Sequence, residues 1–140
     1  MMLFLHFQIG DDGFALAADR VVEILPLVEL EKERRAPPAI AGSFDYRGRF
    51  TSVVDLCALE LGRPARQRLS TRIIMVRLPE DEDTMIGLIA ENATETLRRD
   101  PADFAPFAMS PRGPVQRVEV EDLVPAELRA FVHGALMDGR

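Results

Sequence analysis

The chain has 140 residues, a net charge of −6, and 47% hydrophobic but only 6% aromatic residues. This length and apolar content suffice for one compact domain, or for two small subdomains that share a core, without metals or disulfides. The acidic balance and the lack of Trp argue against DNA or RNA as a partner, because nucleic acids require basic faces and stacking platforms.

The first predicted element is a β-hairpin. Residues 3–9 are rich in strand-forming side chains, residues 10–13 form a turn sequence, and the strand resumes at residues 14–17. The apolar N-terminal stretch is too short to span a membrane and has no basic lead-in or cleavage site. We therefore expect a cytoplasmic protein with no direct membrane insertion. The single Cys57 favours a reducing compartment, and we expect it to be a small buried side chain.

Two strands are predicted before the middle of the chain. Residues 19–24 form an apolar run that carries a charge at Glu23 and ends at Pro26. Residues 28–31 alternate between apolar and charged side chains, as a half-exposed strand does. The charged run at residues 31–35 is interpreted as a solvated loop.

The middle of the chain predicts two further hairpins. Residues 42–46 and 49–55 form the first around a turn at residues 47–48, and a short helix over residues 56–61 ends at Gly62. The second hairpin has strands at residues 71–78 and 85–90. Its connection, residues 79–83, is an acidic turn.

The C-terminal part predicts short elements and one longer helix. They are a strand at residues 94–97, a helical turn at 101–104 capped by Asp100, a strand at 115–120 and a helix at 125–136. The chain thus has about eight short strands, a pattern that favours barrels or a sandwich. No long helical crossover is available to join parallel strands. The predicted fold class is mainly β.

Residues with catalytic or metal-binding chemistry are few. One Cys and two separated His lack ligand spacing, so neither a metal site nor a cofactor is predicted. We expect His6 to be structural and His133 to interact with the C-terminus of its helix. The rival hypothesis is a small β-barrel hydrolase that uses Asp55, His6, or the pair Glu119 and Glu121, which lie on one face of a predicted strand.

Residues 42–56, with the sequence GSFDYRGRFTSVVDL, resemble the central signature of the CheW-like domain family. Three further segments agree with that family in order and spacing: FQIG with FAL in residues 7–16, VVEI in residues 21–24, and IGLIAENATET in residues 86–96. The resemblance spans roughly residues 3–107. Within the family, the chain is most similar to the Wsp-type (WspB- or WspD-like) coupling proteins of surface-sensing pathways, on residues 44–48, 68–72 and 93–98.

The resemblance implies a single CheW-like domain over residues 1–140, made of two five-stranded SH3-like β-barrels with short helices and a C-terminal helix. The barrels pack over a shared apolar core. The first subdomain is expected at about residues 14–66, and the second at about residues 1–13 plus 67–140.

The implied function is that of a non-enzymatic adaptor without a cofactor, recruited to membrane receptor arrays. Members of the family bind the cytoplasmic tip of a methyl-accepting chemoreceptor in the groove between the barrels. They bind the regulatory domain of a CheA-type histidine kinase through barrel-end surfaces.

The resemblance also implies which residues bind the partners: Glu23, Ile24, Arg47, Gly48, Val54 and Gly87. Arg47 at a hairpin tip can present a planar set of donors, and Gly48 permits a positive φ in the turn. Glu23 adds a charge to the apolar surface around Ile24. The alternative for Glu23 and Arg47 is an internal ion pair that braces the first barrel, which does not exclude binding.

The chain departs from the family pattern most in its C-terminal part. Asp45 and Ser52 replace the usual Asn and Pro, which a polar loop or edge strand tolerates. Residues 109–114 run almost directly into the strand at 115–120, where the family has a further hairpin. Either the second barrel is short of part of a hairpin, or a disordered stretch is missing from the sequence. An unpaired strand edge there could be covered by a partner or by a second copy of the chain. A homologue that tunes array assembly by binding kinase but not receptor is a further alternative.

Overall fold

The structure is a computed structural model that describes residues 1–137, and this part of the chain is mainly β, as predicted. Its strands are β1 (Met2–Ile9), β2 (Asp12–Ala17), β3 (Val21–Pro26), β4 (Ile40–Tyr46), β5 (Arg49–Asp55), β6 (Arg72–Leu78), β7 (Asp81–Arg99), β8 (Ala108–Ser110) and β9 (Gly113–Arg117). Its α-helices are α1 (Leu56–Leu61), α2 (Val120–Leu123) and α3 (Ala126–Met137). Short 3-10 helices lie at Ala18–Arg20 and Pro101–Phe104.

Strand β7 joins the two halves of the molecule because it is hydrogen-bonded in both. Its first half pairs with β6 and runs parallel to β5, whereas its second half pairs with β1. The strands of the first half follow the order β4–β5–β7–β6–β3, and those of the second half the order β7–β1–β2–β9–β8. Each half therefore contains five strands, counting β7 in both. The sheet is not closed, and the architecture is consistent with SH3-like subdomains.

Sheet membership groups the strands differently from the expected subdomain ranges. Strand β2 pairs with β1 and β9, although residues 14–17 were expected in the first subdomain. Strand β6 pairs with β3, although residues 67–140 were expected in the second. The long β7 makes this arrangement possible, since it carries the chain from one half into the other.

Apolar side chains form three clusters, one in each half and one between the halves. The cluster of the first half includes Tyr46, Val53, Ile73, Met75 and Ile89. The cluster of the second half includes Phe4, Ala15, Phe104 and Val115. The largest cluster, which we call the shared core, includes Leu5, Phe7, Leu16, Val54, Ile74, Leu88, Leu128 and Val132. Because successive side chains of a strand point to opposite faces, β6 contributes alternately to the first-half cluster and to the shared core.

Local signals in the sequence predicted several elements correctly. The first two hairpins and the hairpin of β6 and β7 are present, with small shifts in their ends. Helix α1 ends before Gly62, which has φ 72°, as predicted. Its N-terminus is capped by Asp55, whose side chain accepts hydrogen bonds from the N–H groups of Cys57 and Ala58. Asp100 caps the turn at Pro101–Phe104, also as predicted.

The predicted strand at residues 28–31 is wrong. These residues form only one isolated bridge, between Glu31 and Ser43. Leu27 and Leu30 pack against the cluster of the first half, whereas Val28 is exposed. The two leucines that pack inward are therefore three residues apart. In a strand with one buried face, the inward side chains are two residues apart.

Two other predictions near the C-terminus also differ from the structure. The strands predicted at residues 85–90 and 94–97 are one continuous strand, in which Asn92 adopts a positive φ of 48°. The strand predicted at residues 115–120 ends at Arg117. Glu119 and Asp122 form a capping box, which starts the helical turn of α2.

The second half of the molecule ends at the three-residue strand β8. Arginine side chains bridge β8 and its turn to β7: Arg99 donates to the carbonyl of Met109 at 3.3 Å, and Arg112 pairs with Glu95 at 2.9 Å. The open edge agrees with the expectation that the second barrel is short of part of a hairpin.

The packing around Gly87 predicts a clear loss of stability in Gly87→Ala. A Cβ atom at this position would lie 2.9 Å from Ile73 and 3.1 Å from Val53, inside the first half of the molecule. We expect the substitution to lower the free energy of unfolding by about 1–3 kcal/mol in urea denaturation. Gly134→Ala is the control, because no atom of the described residues lies within 4 Å of that Cβ position and alanine favours the helix by up to about 1 kcal/mol. Equal stabilities of the two variants would contradict this account.

Candidate protein-binding site

The hairpin of β4 and β5 ends in a two-residue turn that places Arg47 at the surface. Arg47 and Gly48 have φ values of 52° and 86°, the positive pair that type I′ hairpin turns require. The Asp45 side chain accepts a hydrogen bond of 2.8 Å from the Gly48 N–H. A side-chain oxygen at this position fixes the turn, so aspartate can serve where the family has asparagine.

A polar network connects this turn to strand β3. One carboxylate oxygen of Glu23 accepts hydrogen bonds from the Tyr46 hydroxyl at 2.6 Å and from the Arg47 guanidinium at 2.9 Å. The Arg47 guanidinium carbon also lies 5.0 Å from the centre of the Tyr46 ring. Burial raises the pKa of Tyr46, and the hydrogen bond from its hydroxyl to Glu23 raises it further. The structure thus brings together two of the predicted residues, Glu23 and Arg47, and contains the ion pair considered as their alternative role.

The network is exposed enough to meet a partner. The side chains of Glu23 and Arg47 are 38% and 66% accessible. Since only one guanidinium nitrogen of Arg47 is used by Glu23, further donors remain available. Beside them lies a cleft of about 290 Å³ that Arg47 shares with Val22, Phe50 and Met85, and the Phe50 side chain is half exposed. Charged groups around accessible apolar side chains are typical of a protein interface.

Ile24 lies on a different face of β3, beside the shared core between the two halves. Its side chain packs against the shared core, whereas Val22 and Leu25 pack against the cluster of the first half. Ile24 lies opposite Ile74 of β6 and remains partly exposed, as does Val21. Strand β3 therefore contributes to two surfaces, one near the hairpin turn and one beside the shared core.

The remaining two predicted residues lie in the interior. Val54 is fully buried between Ile40 and Leu88, and Gly87 is buried between Val53 and Met75. Neither reaches the surface around Glu23, Arg47 and Gly48 or the one at Ile24, so we assign packing roles to both. Tyr46 and Phe50 were not predicted as binding residues, although both lie within the signature segment. Their neighbours belong to β3 and β7, which are distant in the sequence.

The residues of the hydrolase hypothesis do not form one site. Asp55 is buried and accepts hydrogen bonds from the backbone N–H groups of Cys57, Ala58 and Ala65, which gives its carboxylate a structural role. Among the described residues, no group of three or more His, Cys, Asp and Glu side chains could hold a metal ion.

The other candidates of the hydrolase hypothesis also have local structural roles. Glu119 precedes α2 and Glu121 lies in its first turn, so the two do not share a strand face. Among the described residues, the His133 ring contacts the Asp81 carboxylate at 3.1 Å, whereas we expected it to interact with the end of its own helix. Cys57 is fully buried, as predicted, and burial raises the pKa of its thiol.

Comparison with known proteins identifies one family. The CheW-like domain matches residues 3–122. The chemotaxis protein CheW of Helicobacter pylori is 27% identical over 107 residues, which cover 76% of this chain and 62% of that protein. The chain thus spans less than two thirds of the length of this curated relative. The solved structure of the scaffolding protein TtCheW from Thermoanaerobacter tengcongensis superposes with a TM-score of 0.76 at 19% identity, covering 91% of this chain and 90% of that one. In the described part of the chain, no helix is long and apolar enough to cross a membrane.

The network predicts different stabilities for Tyr46→Phe and Arg47→Ala. Tyr46 is buried and its hydroxyl donates to a carboxylate, so we expect Tyr46→Phe to lose about 1–2 kcal/mol of unfolding free energy. Arg47 is mostly exposed, so Arg47→Ala should lose less than about 1 kcal/mol. Urea denaturation measures both. A larger loss for Arg47→Ala would favour bracing of the first half as the main role of that residue.

The buried His6 predicts that the protein loses stability on acidification. Burial lowers the pKa of His6 in the folded state; Glu95 raises it and Arg112 lowers it by smaller amounts. Because the unfolded chain then takes up a proton more readily, stability falls as the pH drops below about 6.5 towards the folded-state value. Urea denaturation at about pH 7.5 and pH 5.5 should show a smaller decrease for His6→Gln than for the wild type. The same decrease in both proteins would contradict this assignment.

Proposed function

The chain belongs to the CheW-like domain family, and we propose that it is a non-enzymatic adaptor that couples methyl-accepting chemoreceptors to a CheA-type histidine kinase. The observation that carries the proposal is the exposed network of Glu23, Tyr46 and Arg47 at the tip of the β4–β5 hairpin. It presents a positioned guanidinium beside the half-exposed Phe50, which suits recognition of a protein surface. The similarity to a chemotaxis protein and to a scaffolding protein supports the same function.

The proposal assigns one partner to each surface of β3. The kinase regulatory domain would contact the hairpin tip, where Arg47 offers donors to a carboxylate or to carbonyl groups. The cytoplasmic tip of a receptor would lie in the groove beside Val21 and Ile24, which are partly exposed next to the shared core. Since neighbouring residues of a strand face opposite sides, both partners can bind at once, and an adaptor requires this.

We assign the chain more finely to the Wsp-type branch, with a surface-sensing or biofilm-linked output. Residues 44–48, 68–72 and 93–98 support this assignment by their resemblance to that branch. In this proposal the protein works on the cytoplasmic side of the membrane, where receptor tips and the kinase assemble into arrays.

A second candidate function is favoured by the open edge of the sheet at β8. This strand has only three residues, and Phe107 and Met109 beside and within it are exposed. A chain with a shortened second half could bind the kinase but not the receptor and so tune the assembly of the array. A second copy of the chain could also cover the edge, since unpaired edges favour association.

Charge reversal at the hairpin tip predicts a loss of partner binding. Arg47→Glu places a carboxylate beside Glu23 and removes the guanidinium, so we expect it to weaken the capture of the proposed partners at least about tenfold. Tagged wild-type and variant proteins are used as bait in a lysate of the native cells, and the captured proteins are quantified by mass spectrometry. Arg34→Glu is the control, because Arg34 is an exposed arginine of the charged loop and is not one of the residues of the network.

The outcomes separate the candidate functions. Recovery of both a CheA-type kinase and a methyl-accepting receptor by the wild type and by Arg34→Glu, but not by Arg47→Glu, supports the adaptor. Recovery of kinase without receptor supports the assembly-tuning homologue. Recovery of neither, from a lysate that contains both, contradicts the proposed function.

A further inference from the structure

Three arginines line the cleft beside the hairpin tip. Arg47, Arg49 and Arg77 surround about 290 Å³ together with apolar side chains that include Phe50 and Met85. All three arginines are exposed, and a guanidinium group keeps its charge because it cannot be deprotonated in a protein. The cleft therefore combines positive charge with accessible apolar surface, although the chain as a whole has a net charge of −6.

The two acidic residues of the cleft compensate this charge only in part. Glu82 pairs at 3.8 Å with Arg20, which is not one of the residues that line the cleft. Asp83 contacts Arg49 through its backbone carbonyl, which carries no net charge. Within residues 1–137, neither Arg49 nor Arg77 forms a salt bridge. Two arginines without an ionic partner thus share the cleft with one carboxylate, that of Asp83, which is also without one.

The turn between β6 and β7 holds Arg49 in place. One terminal nitrogen of its guanidinium donates a hydrogen bond of 3.2 Å to the Asp83 carbonyl. The turn is fixed in its own right by the Asp81 carboxylate, which accepts hydrogen bonds from the Asp83 N–H at 3.0 Å and from the Thr84 hydroxyl at 2.8 Å. The hydrogen bond from Thr84, followed by that from the Asp83 N–H, lowers the pKa of Asp81. Arg49 is therefore supported at one nitrogen, and its other N–H donors remain available to a partner.

Helix α3 supports the same turn from the other side. Arg129 donates to the Glu80 carboxylate at 2.8 Å, and the ring of His133 contacts the Asp81 carboxylate at 3.1 Å. The Arg129 side chain is only 13% accessible, and apolar residues of α3 belong to the shared core. The support of Arg49 thus reaches from the cleft back to the interior of the protein.

We propose that Arg49 is a specificity residue which, together with Arg47, receives an Asp or Glu side chain of the kinase regulatory domain in this cleft. This inference rests on the proposed function. Glu23 holds Arg47 and the Asp83 carbonyl holds Arg49, so less side-chain entropy is lost when the partner binds. A carboxylate in the cleft accepts charge-assisted hydrogen bonds from the guanidinium groups, while the half-exposed Phe50 contacts an apolar neighbour of that acidic residue.

The composition of the cleft favours a carboxylate over a phosphate group. A phosphate group carries between one and two negative charges at neutral pH, and the Asp83 carboxylate would repel it more strongly than it repels a singly charged side chain. A phosphate also offers nothing to the apolar walls at Val22, Phe50 and Met85. An acidic residue beside an apolar one, on the surface of a protein, matches both parts of the cleft.

The test measures the affinity of purified variants for a purified probe, the regulatory domain of the CheA-type kinase encoded in the same genome. Isothermal titration calorimetry gives the dissociation constants. We expect Arg49→Gln to weaken binding about tenfold, and Arg49→Lys, which keeps the charge but lacks the planar donors, to weaken it less. Arg68→Gln is the matched control, because Arg68 is an exposed arginine that does not line the cleft. It should bind the kinase domain as the wild type does.

The role of the turn is tested by a double-mutant cycle. Asp81→Ala removes the acceptor that fixes the turn, so we expect it to weaken kinase binding about threefold in the wild type and to have little further effect in Arg49→Gln. Asp81→Asn keeps a side-chain oxygen that can accept from the Asp83 N–H, and it should retain more of the affinity than Asp81→Ala does. Additive effects of Asp81→Ala and Arg49→Gln would contradict positioning of Arg49 by the turn.

Stability and charge exchange distinguish recognition from an internal role. Because Arg49 is exposed, Arg49→Gln should unfold at the same urea concentration as the wild type while it binds the kinase domain more weakly. Arg49→Glu should abolish measurable binding, and a Lys substituted for one acidic residue of the kinase domain should restore it. That restoration would identify the recognised carboxylate, and its failure at every acidic residue of the contact surface would overturn the assignment of a carboxylate.

The outcomes separate this inference from the proposed function. If the wild type binds the kinase domain and Arg49→Gln binds it equally well, the role of Arg49 is overturned and the adaptor function stands. A parallel loss of stability and affinity in Arg49→Gln would also overturn it, since it would reveal an internal role. If the wild type does not bind the kinase domain at all, the adaptor function itself fails.

Discussion

Strand β7 is hydrogen-bonded to β5 and β6 over its first half and to β1 over its second, and the rest of the structure depends on this sharing. Neither half can separate from the other without breaking a strand. The shared strand also brings β6 between two apolar clusters, so both faces of β6 are buried. Where β7 passes between β5 and β6, glycine packs best, because a Cβ atom at Gly87 would press against Ile73. The shared core therefore fixes the position of β3, whose two faces carry the candidate binding surfaces.

The candidate surfaces suit recognition of other proteins. At the hairpin tip, Glu23 and Tyr46 hold the guanidinium of Arg47 in place, so less conformational entropy is lost when a partner binds. On the other face of β3, Ile24 packs against the shared core and remains partly exposed. The carboxylate that could resemble a catalytic group, Asp55, is instead committed to backbone N–H groups around α1. These hydrogen bonds thus stabilise the structure that presents the candidate surfaces.

The candidate site could be predicted from the sequence only in part. The resemblance marked Glu23, Ile24, Arg47 and Gly48, which lie at or near the surface, but also Val54 and Gly87, which lie in the interior. A family signature marks every position that matters to the protein, and it does not separate contact from packing. Whether a residue contacts a partner or packs in the interior depends on which strands cover it. Val54 of β5 and Gly87 of β7 are each paired with strands from distant parts of the chain.

The sequence by itself determined the features that depend on a few neighbouring residues. The positive φ values at Arg47 and Gly48, the Asp55 and Asp100 caps and the end of α1 at Gly62 follow from local sterics and local hydrogen bonds. The tertiary structure decided the continuity of β7 through Asn92, the loss of the predicted strand at residues 28–31 and the grouping of β6 with β3. Strand pairing and burial join residues that are far apart in the chain, so no local pattern encodes them.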